Sequence, residues 1–466
     1  MDYESASELA IKLALKGGAE YVDIRADKEE SNAFAMHNGI LNFATSSKSE
    51  GIGVRVKKRG WAFFSTNNLT RESIKKLVDK ALIQAERIKL GHQSEMSKEK
   101  VWKKKYAVKA KIKTNELSPE EKINLLKSLE KETKDKVDGR TFYLSDSIRE
   151  RLILNSEGTR IKSIIPQVYS YYVISIIEGS KTSEHFLSFG ASSGYETWKK
   201  WNLKNRIKKE AEALRRGLKE GIKVKPSVKD VVVAPEVTGI IVHESCGHPL
   251  EADRVLGREA AQAGESFVKP NMLNKLIGGV NVNIADDPTL EKSFGYYLYD
   301  DEGVKAKRKM LMKNGRINEF LHNRETASEL GVKSNGSARS TSYAFEPIVR
   351  MSNTFMLPGD YKEEELIENV KDGIYVKSFM EWNIDDKRLN QKYVGAEAYE
   401  IKNGRLGKPV LNPVIEITTP ELYQAVDAVA NNTEYFAGTC GKGEPMQGIP
   451  VWFGGPSFRM RKIFVR

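Results

Sequence analysis

The apolar rhythm of the chain changes once, between Gly221 and Ser227, and this change constrains the fold more than any other feature of the sequence. Before it, amphipathic helices alternate with sets of strands. Residues 3 to 16 read as a short helix. Strands follow at Tyr21 to Ala26, Ser31 to His37, Ile40 to Thr45, Ile52 to Lys57 and Gly60 to Thr66, with hairpin turns at His37-Asn38-Gly39 and Lys58-Arg59-Gly60. Thr70 caps a helix to about Ile88, with Ile74, Leu77, Val78, Ala81, Leu82 and Ala85 on one face. The order then repeats. Ser118-Pro119-Glu120-Glu121 opens a helix, strands fill Thr141 to Phe189, and a charged helix over 202 to 219 turns Leu203, Ile207, Ala211, Leu214 and Leu218 inward. No residue-level repeat links the two units. After the change, strands and turns dominate: Val231 to Val233, Asn281 to Ala285, Gly303 to Met312, Arg350 to Met356, Ile374 to Val376, Glu397 to Lys402 and Pro413 to Thr418, with a last helix over 420 to 430. The expected class is α+β in two domains: an amino-terminal α/β domain with antiparallel sheets over 1–225, and a β-rich carboxyl-terminal domain over 226–466.

Composition excludes several classes. At 40% hydrophobic and 30% charged residues the chain is that of a globular protein, and no apolar run approaches the roughly 20 residues a bilayer span needs. The amino terminus lacks the basic-then-apolar layout of a signal peptide, so a cytoplasmic location is expected. The net charge of +12 is thinly spread. Its densest stretch, Lys98 to Lys113, interleaves Trp102 and Tyr106 in a way single-stranded nucleic acid could stack upon, but a solvated linker explains it more simply, and nucleic acid is not expected as a partner. Two cysteines, Cys246 and Cys440, are too few for a disulfide framework.

Chemistry concentrates in Ala234 to Pro249, which contains His243-Glu244-Ser-Cys-Gly-His248. Pro235 sits where a first-turn proline belongs, so the motif lies near the end of a helix. Histidines four apart stand within roughly 40° of each other around a helix, whereas five apart they diverge by roughly 140°, too far to share a metal. The helix must therefore bulge or break. Gly247 and Pro249 supply the means, through permissive backbone angles and a barred continuation. A catalytic zinc takes three protein ligands and keeps one open position. Cys440, flanked by glycines in Gly438 to Gly443 and so suited to presentation from a tight loop, is the best third donor beside His243 and His248. Cys246, three residues from His243, competes, and Glu251 and Asp253 are weaker candidates. Glu244 is then the general base toward an activated water. His37, His92, His185 and His322 have no partner motif and read as turn, surface or packing residues. Asp300-Asp301-Glu302-Gly303 lacks the ligand spacing of a calcium loop and reads as a solvated turn.

Four separated segments resemble the TldD/PmbA peptidases: HESCGHPLEAD at 243–253, YDDEGV at 299–304, RMSNTFMLPGD at 350–360 and GTCGKG at 438–443. The resemblance implies that His243, His248 and Cys440 bind Zn2+, that Glu244 is the catalytic glutamate and that Cys246 is a bystander. It implies cleavage of unfolded or short peptides in a groove to which the amino-terminal domain contributes, together with dimer contacts, and a homodimer or a heterodimer with a PmbA/TldE-like subunit. One departure stands out. After Gly373-Ile374-Tyr375 the family usually has a glycine-rich stretch, and this chain reads VKSFMEWNIDD. The alternative is a noncatalytic peptide- or partner-binding subunit with a structural zinc, against which the intact Glu244 argues.

Overall fold

The computed structural model describes residues 1–88, 95–258 and 265–466; His92 lies outside them. The fold is α+β, as expected. Helices begin where capping chemistry places them: the Thr70 hydroxyl accepts from the Ser73 amide, and Ser118 and Glu121 form a reciprocal capping box.

In chain order the amino-terminal part runs α1 (Tyr3–Lys16), β1 (Tyr21–His37), β2 (Ile40–Lys57), β3 (Trp61–Thr66), α2 (Arg71–Arg87), β4 (Lys103–Ala107), α3 (Pro119–Thr133), β5 (Gly139–Asn155), β6 (Arg160–Glu178), β7 (Lys181–Ala191), α4 (Glu196–Trp201) and α5 (Leu203–Glu220). The expected short strands at Tyr21 to Ala26 and Ser31 to His37 are one strand, as are the pair in β2. The polar stretch between them does not break β1, because its acids meet bases across the sheet: Arg151 donates to Asp27 at 2.6 Å and Arg149 to Glu29 at 2.9 Å. The two strand sets join edge to edge through the antiparallel β1–β5 pair, making one seven-stranded sheet in the order β3-β2-β1-β5-β6-β4, with β7 also on β6. One core forms where α1 and α2 meet Val22, Ile24, Ile52 and Val54, and a second where α3 and α5 meet Phe34, Phe142 and Leu144.

The basic segment is not a solvated linker throughout. Lys103–Ala107 adds to β6 as a parallel edge strand, and Trp102 and Tyr106 pack against Tyr299 at 5.6 and 6.2 Å between ring centroids. Those rings are occupied by packing, so they offer no stacking platform. The acidic turn is also not solvated. Asp300 accepts from the amides of Glu302, Val304 and Ala338, Asp301 accepts from Arg151, and Glu302 from Arg55. It therefore clamps the amino-terminal sheet to the carboxyl-terminal part, and burial, then the neighbouring Glu302, pushes the Asp300 carboxyl well up.

From Ser227 the chain builds a nine-stranded and a six-stranded sheet. Strand β8 (Ser227–Val233) lies inside the larger one, parallel to Asp372–Val376 and antiparallel to Phe458–Val465, and its Val231 to Val233 are wholly buried. The next helix, α6 (Pro235–Val242), packs against the strands Gln447–Gly455 and Asn353–Met356 of the smaller sheet. Contact is close: a Cβ on Gly239 would lie 2.7 Å from the Phe453 ring. The expected helix over 420 to 430 is a helix only over Thr419–Gln424, after which Val426–Val429 pairs with the strand beginning at Phe458. Among the described residues no helix is long and apolar enough to cross a membrane.

Candidate metal centre

After Val242 the helix widens. Residues His243–Gly247 form a π-turn in which the His248 amide donates to the His243 carbonyl, five residues back, and a 3-10 turn over His248–Leu250 follows. The wider turn absorbs the extra residue of the motif. The two imidazole rings lie 5.0 Å apart at 81° to one another. The part played by Gly247 differs from expectation, because its backbone is helical, with φ −58 and ψ −62. Space is the reason for glycine there: a Cβ would meet the Met351 sulfur at 1.9 Å, and Met351 is fully buried. Gly247→Ala is expected to lower folding stability by about 1–3 kcal/mol through overpacking; thermal unfolding checks this, and an unchanged Tm would mean that the bend has slack.

Cys440 comes from 192 positions away. It lies within an edge strand, Glu434–Lys442, rather than in the expected tight loop. Its Sγ is 3.4 Å from His248 Nε2, and candidate ligand atoms of His243, His248 and Cys440 all lie within 4.8 Å of one another. Burial opposes ionisation of this thiol, but His248, then His243 and Arg350, outweigh it and hold the thiol well below its ordinary range. Cys246 lies outside the cluster, and burial, then Asp286, pushes its thiol well up. Glu251 and Asp253 are not in the cluster either. Glu251 stands behind His248, its Oε2 3.0 Å from Nδ1, and is itself held by Lys442 at 3.2 Å; Asp253 accepts from Lys442 at 2.7 Å. A carboxylate on the far ring nitrogen turns Nε2 toward the cluster.

The donor set suits zinc. Two imidazoles and a cysteine sulfur converge, and Nδ1 of His243 is buried with no protein partner among the described residues. The cluster lies on the floor of a cavity of about 620 Å³ whose walls include Tyr169 and Phe186 from the amino-terminal sheet and Phe379 and Trp382 from the carboxyl-terminal one. Glu244 lines the same cavity, and its Oε2 accepts from Arg388 at 2.6 Å. Sequence reasoning missed Arg388. The only signal was its place just beyond the segment that departs from the family pattern.

The other histidines among the described residues lie outside the cluster. His185 is clamped between Glu210 and Glu236 at 3.1 and 3.0 Å; burial opposes its protonation, but Glu236 and Glu210 hold its pKa well above the usual value. His322 is pulled down to about 4 by burial and by Lys307, and His37 is exposed at the end of β1, beside the turn.

Two histidines and a cysteine beside a glutamate in one cavity form a donor set that could hold a metal ion. The sequence carries this further. Family models for the PmbA/TldA metallopeptidases match residues 22–85 (domain 1), 112–218 (central domain) and 226–466 (C-terminal domain). The chain is 32% identical to a metalloprotease of Methanocaldococcus jannaschii, over 94% of this chain and 96% of that protein. It is 26% identical to a zinc metalloprotease TldD homolog of Saccharolobus solfataricus, over 98% of each. In structure it is similar to TldE from Thermococcus kodakarensis, with a TM-score of 0.78 at 16% identity over 99% of each chain. The chain belongs to the PmbA/TldD metallopeptidase family.

Proposed function

We propose that this protein is a zinc-dependent peptidase that hydrolyses unfolded or short peptides, with His243, His248 and Cys440 holding the metal and Glu244 moving the proton. The observation that carries the reading is the convergence of these four side chains, from two distant segments, on one cavity floor. Zinc, when bound, would supply a Lewis acid that polarises the scissile carbonyl and lowers the pKa of water. The protein residues do the rest. Glu251 fixes the ring of His248, and Glu244 takes a proton from the attacking water and passes it to the leaving amine nitrogen. Phe379–Ile384 and Glu434–Lys442 are edge strands of their sheets, and both contribute residues to the cavity wall. Exposed strand edges pair with the backbone of an extended chain, which favours unfolded peptides over folded proteins.

We further propose the division 1–225 and 226–466, with the groove between the two parts, a cytoplasmic location, and a dimer formed either with a second copy or with a PmbA/TldE-like subunit. Likeness to a TldE structure supports the last of these as a shared fold. The second reading, a noncatalytic subunit with a structural zinc, is disfavoured by Glu244, which lines the cavity beside the ligands.

The test is metal content together with turnover of an unfolded peptide. About one zinc per chain is expected, with hydrolysis abolished by a chelator and restored by zinc. Zinc without turnover, alone and with any copurifying subunit, would leave the noncatalytic reading standing; absence of zinc would sink the site.

A further inference from the structure

We infer that Arg388 is a positioning residue for the Glu244 carboxylate, which makes the turn between strands Phe379–Ile384 and Asn390–Gly395 part of the active centre. The inference rests on the peptidase reading above. Arg388 Nη1 donates to Glu244 Oε2 at 2.6 Å, and the two side chains are only 9% and 10% exposed. The carboxylate that Arg388 engages through Oε2 belongs to a residue that lines the cavity. A glutamate side chain turns about three bonds, and a proton carrier misplaced by about 1 Å loses much of its value. A guanidinium, with its rigid planar fork, is suited to removing that freedom, whereas a lysine is a mobile point charge.

The backbone of the turn points the same way. Arg388 has φ 62, a left-handed conformation that disfavours residues with a Cβ. Six of the nine non-glycine residues of this kind among the described residues are asparagine, the residue type that tolerates it best, so an arginine here is a choice made against local preference. Surrounding bonds enforce it. The Arg388 amide donates to the Asp385 carbonyl at 2.9 Å, the Asp385 carboxylate accepts from the amides of Leu389 and Asn390 at 2.8 and 3.1 Å, and Thr419 Oγ1 donates to the Arg388 carbonyl at 2.8 Å. A strained residue held by this many bonds presents its side chain in one direction. The direction is toward Glu244, 144 positions earlier in the chain.

The experiment compares Arg388→Ala and Arg388→Lys with the native chain and Glu244→Gln, each checked for zinc content. For Arg388→Ala we expect kcat to fall about 100-fold with KM changed by less than about threefold. Added ethylguanidinium should restore part of the lost rate in Arg388→Ala and none in Glu244→Gln, and Arg388→Lys should lie between native and Ala. A crystal structure of zinc-loaded Arg388→Ala should show the Glu244 carboxylate displaced or in several orientations. Unchanged or raised kcat, a rise confined to KM, or a Glu244 that stays in place would each overturn the inference. If the native chain itself shows no zinc-dependent turnover, the peptidase reading fails instead, and the crystal structure still decides whether Arg388 sets the carboxylate.

Discussion

Glu244→Gln is expected to keep about one zinc per chain and to lose kcat by on the order of 1,000-fold, within the range general acid–base residues contribute. The substitution conserves volume and leaves an amide oxygen that can still accept from Arg388, so the π-turn and the three candidate ligands should stay where they are. What would disappear is the group proposed to take and return a proton. Metal analysis, circular dichroism and turnover of one unfolded peptide on the same preparation separate these effects. Loss of zinc along with activity would mean that Glu244 supports the metal rather than the reaction, and retained activity would remove it from the mechanism.

Cys440→Ser is expected to weaken zinc binding by roughly 100-fold or more and to abolish turnover at limiting metal, because a soft sulfur donor beside two imidazoles is replaced by a hydroxyl that does not ionise at neutral pH. Cys246→Ser is the matched control. That thiol is buried outside the cluster, so the variant should bind zinc and turn over like the native chain while losing about 1–3 kcal/mol of stability from a hydroxyl placed in an apolar setting. Competition with a zinc-binding dye measures the affinities. The reverse pattern, with metal lost in the Cys246 variant and kept in the Cys440 variant, would reassign the third ligand. Both outcomes are open to measurement without knowledge of the natural substrate.

The two variants probe residues of unequal legibility. Glu244 stands within a motif that is read directly, and the spacing of His243 and His248 already required the helix to depart from regular geometry. Cys440 was reached by the chemistry of the donor and by family resemblance; nothing in its local sequence points at residue 248, and glycines on either side suggested a loop where an edge strand forms. Gly247 shows a related failure. Its conformational freedom explained a bend on paper, yet the residue is needed because Met351 from a distant segment fills the space its side chain would occupy. The acidic turn at 300 to 303 looked solvated because its partners, Arg55 and Arg151, lie in strands from the other half of the chain.

What the sequence alone determined is local: where α2 and α3 begin, which faces of α2 and α5 are buried, that the class is α+β, and that two histidines five residues apart need a bulged helix. These follow from hydrogen-bond geometry and apolar periodicity over a few residues. Tertiary structure decided the rest. It fused two strand sets into one sheet through β1 and β5, converted a basic stretch into an edge strand, placed Glu251 behind His248 and brought Arg388 onto Glu244. Only the His248–Glu251 contact is local, and even there the choice between ligand and orienting carboxylate depends on where the thiolate arrives. The other pairings join groups dozens to hundreds of positions apart, where charge and shape complementarity leave no periodic trace in either segment, so they become visible only when the packed sheets bring the side chains within reach.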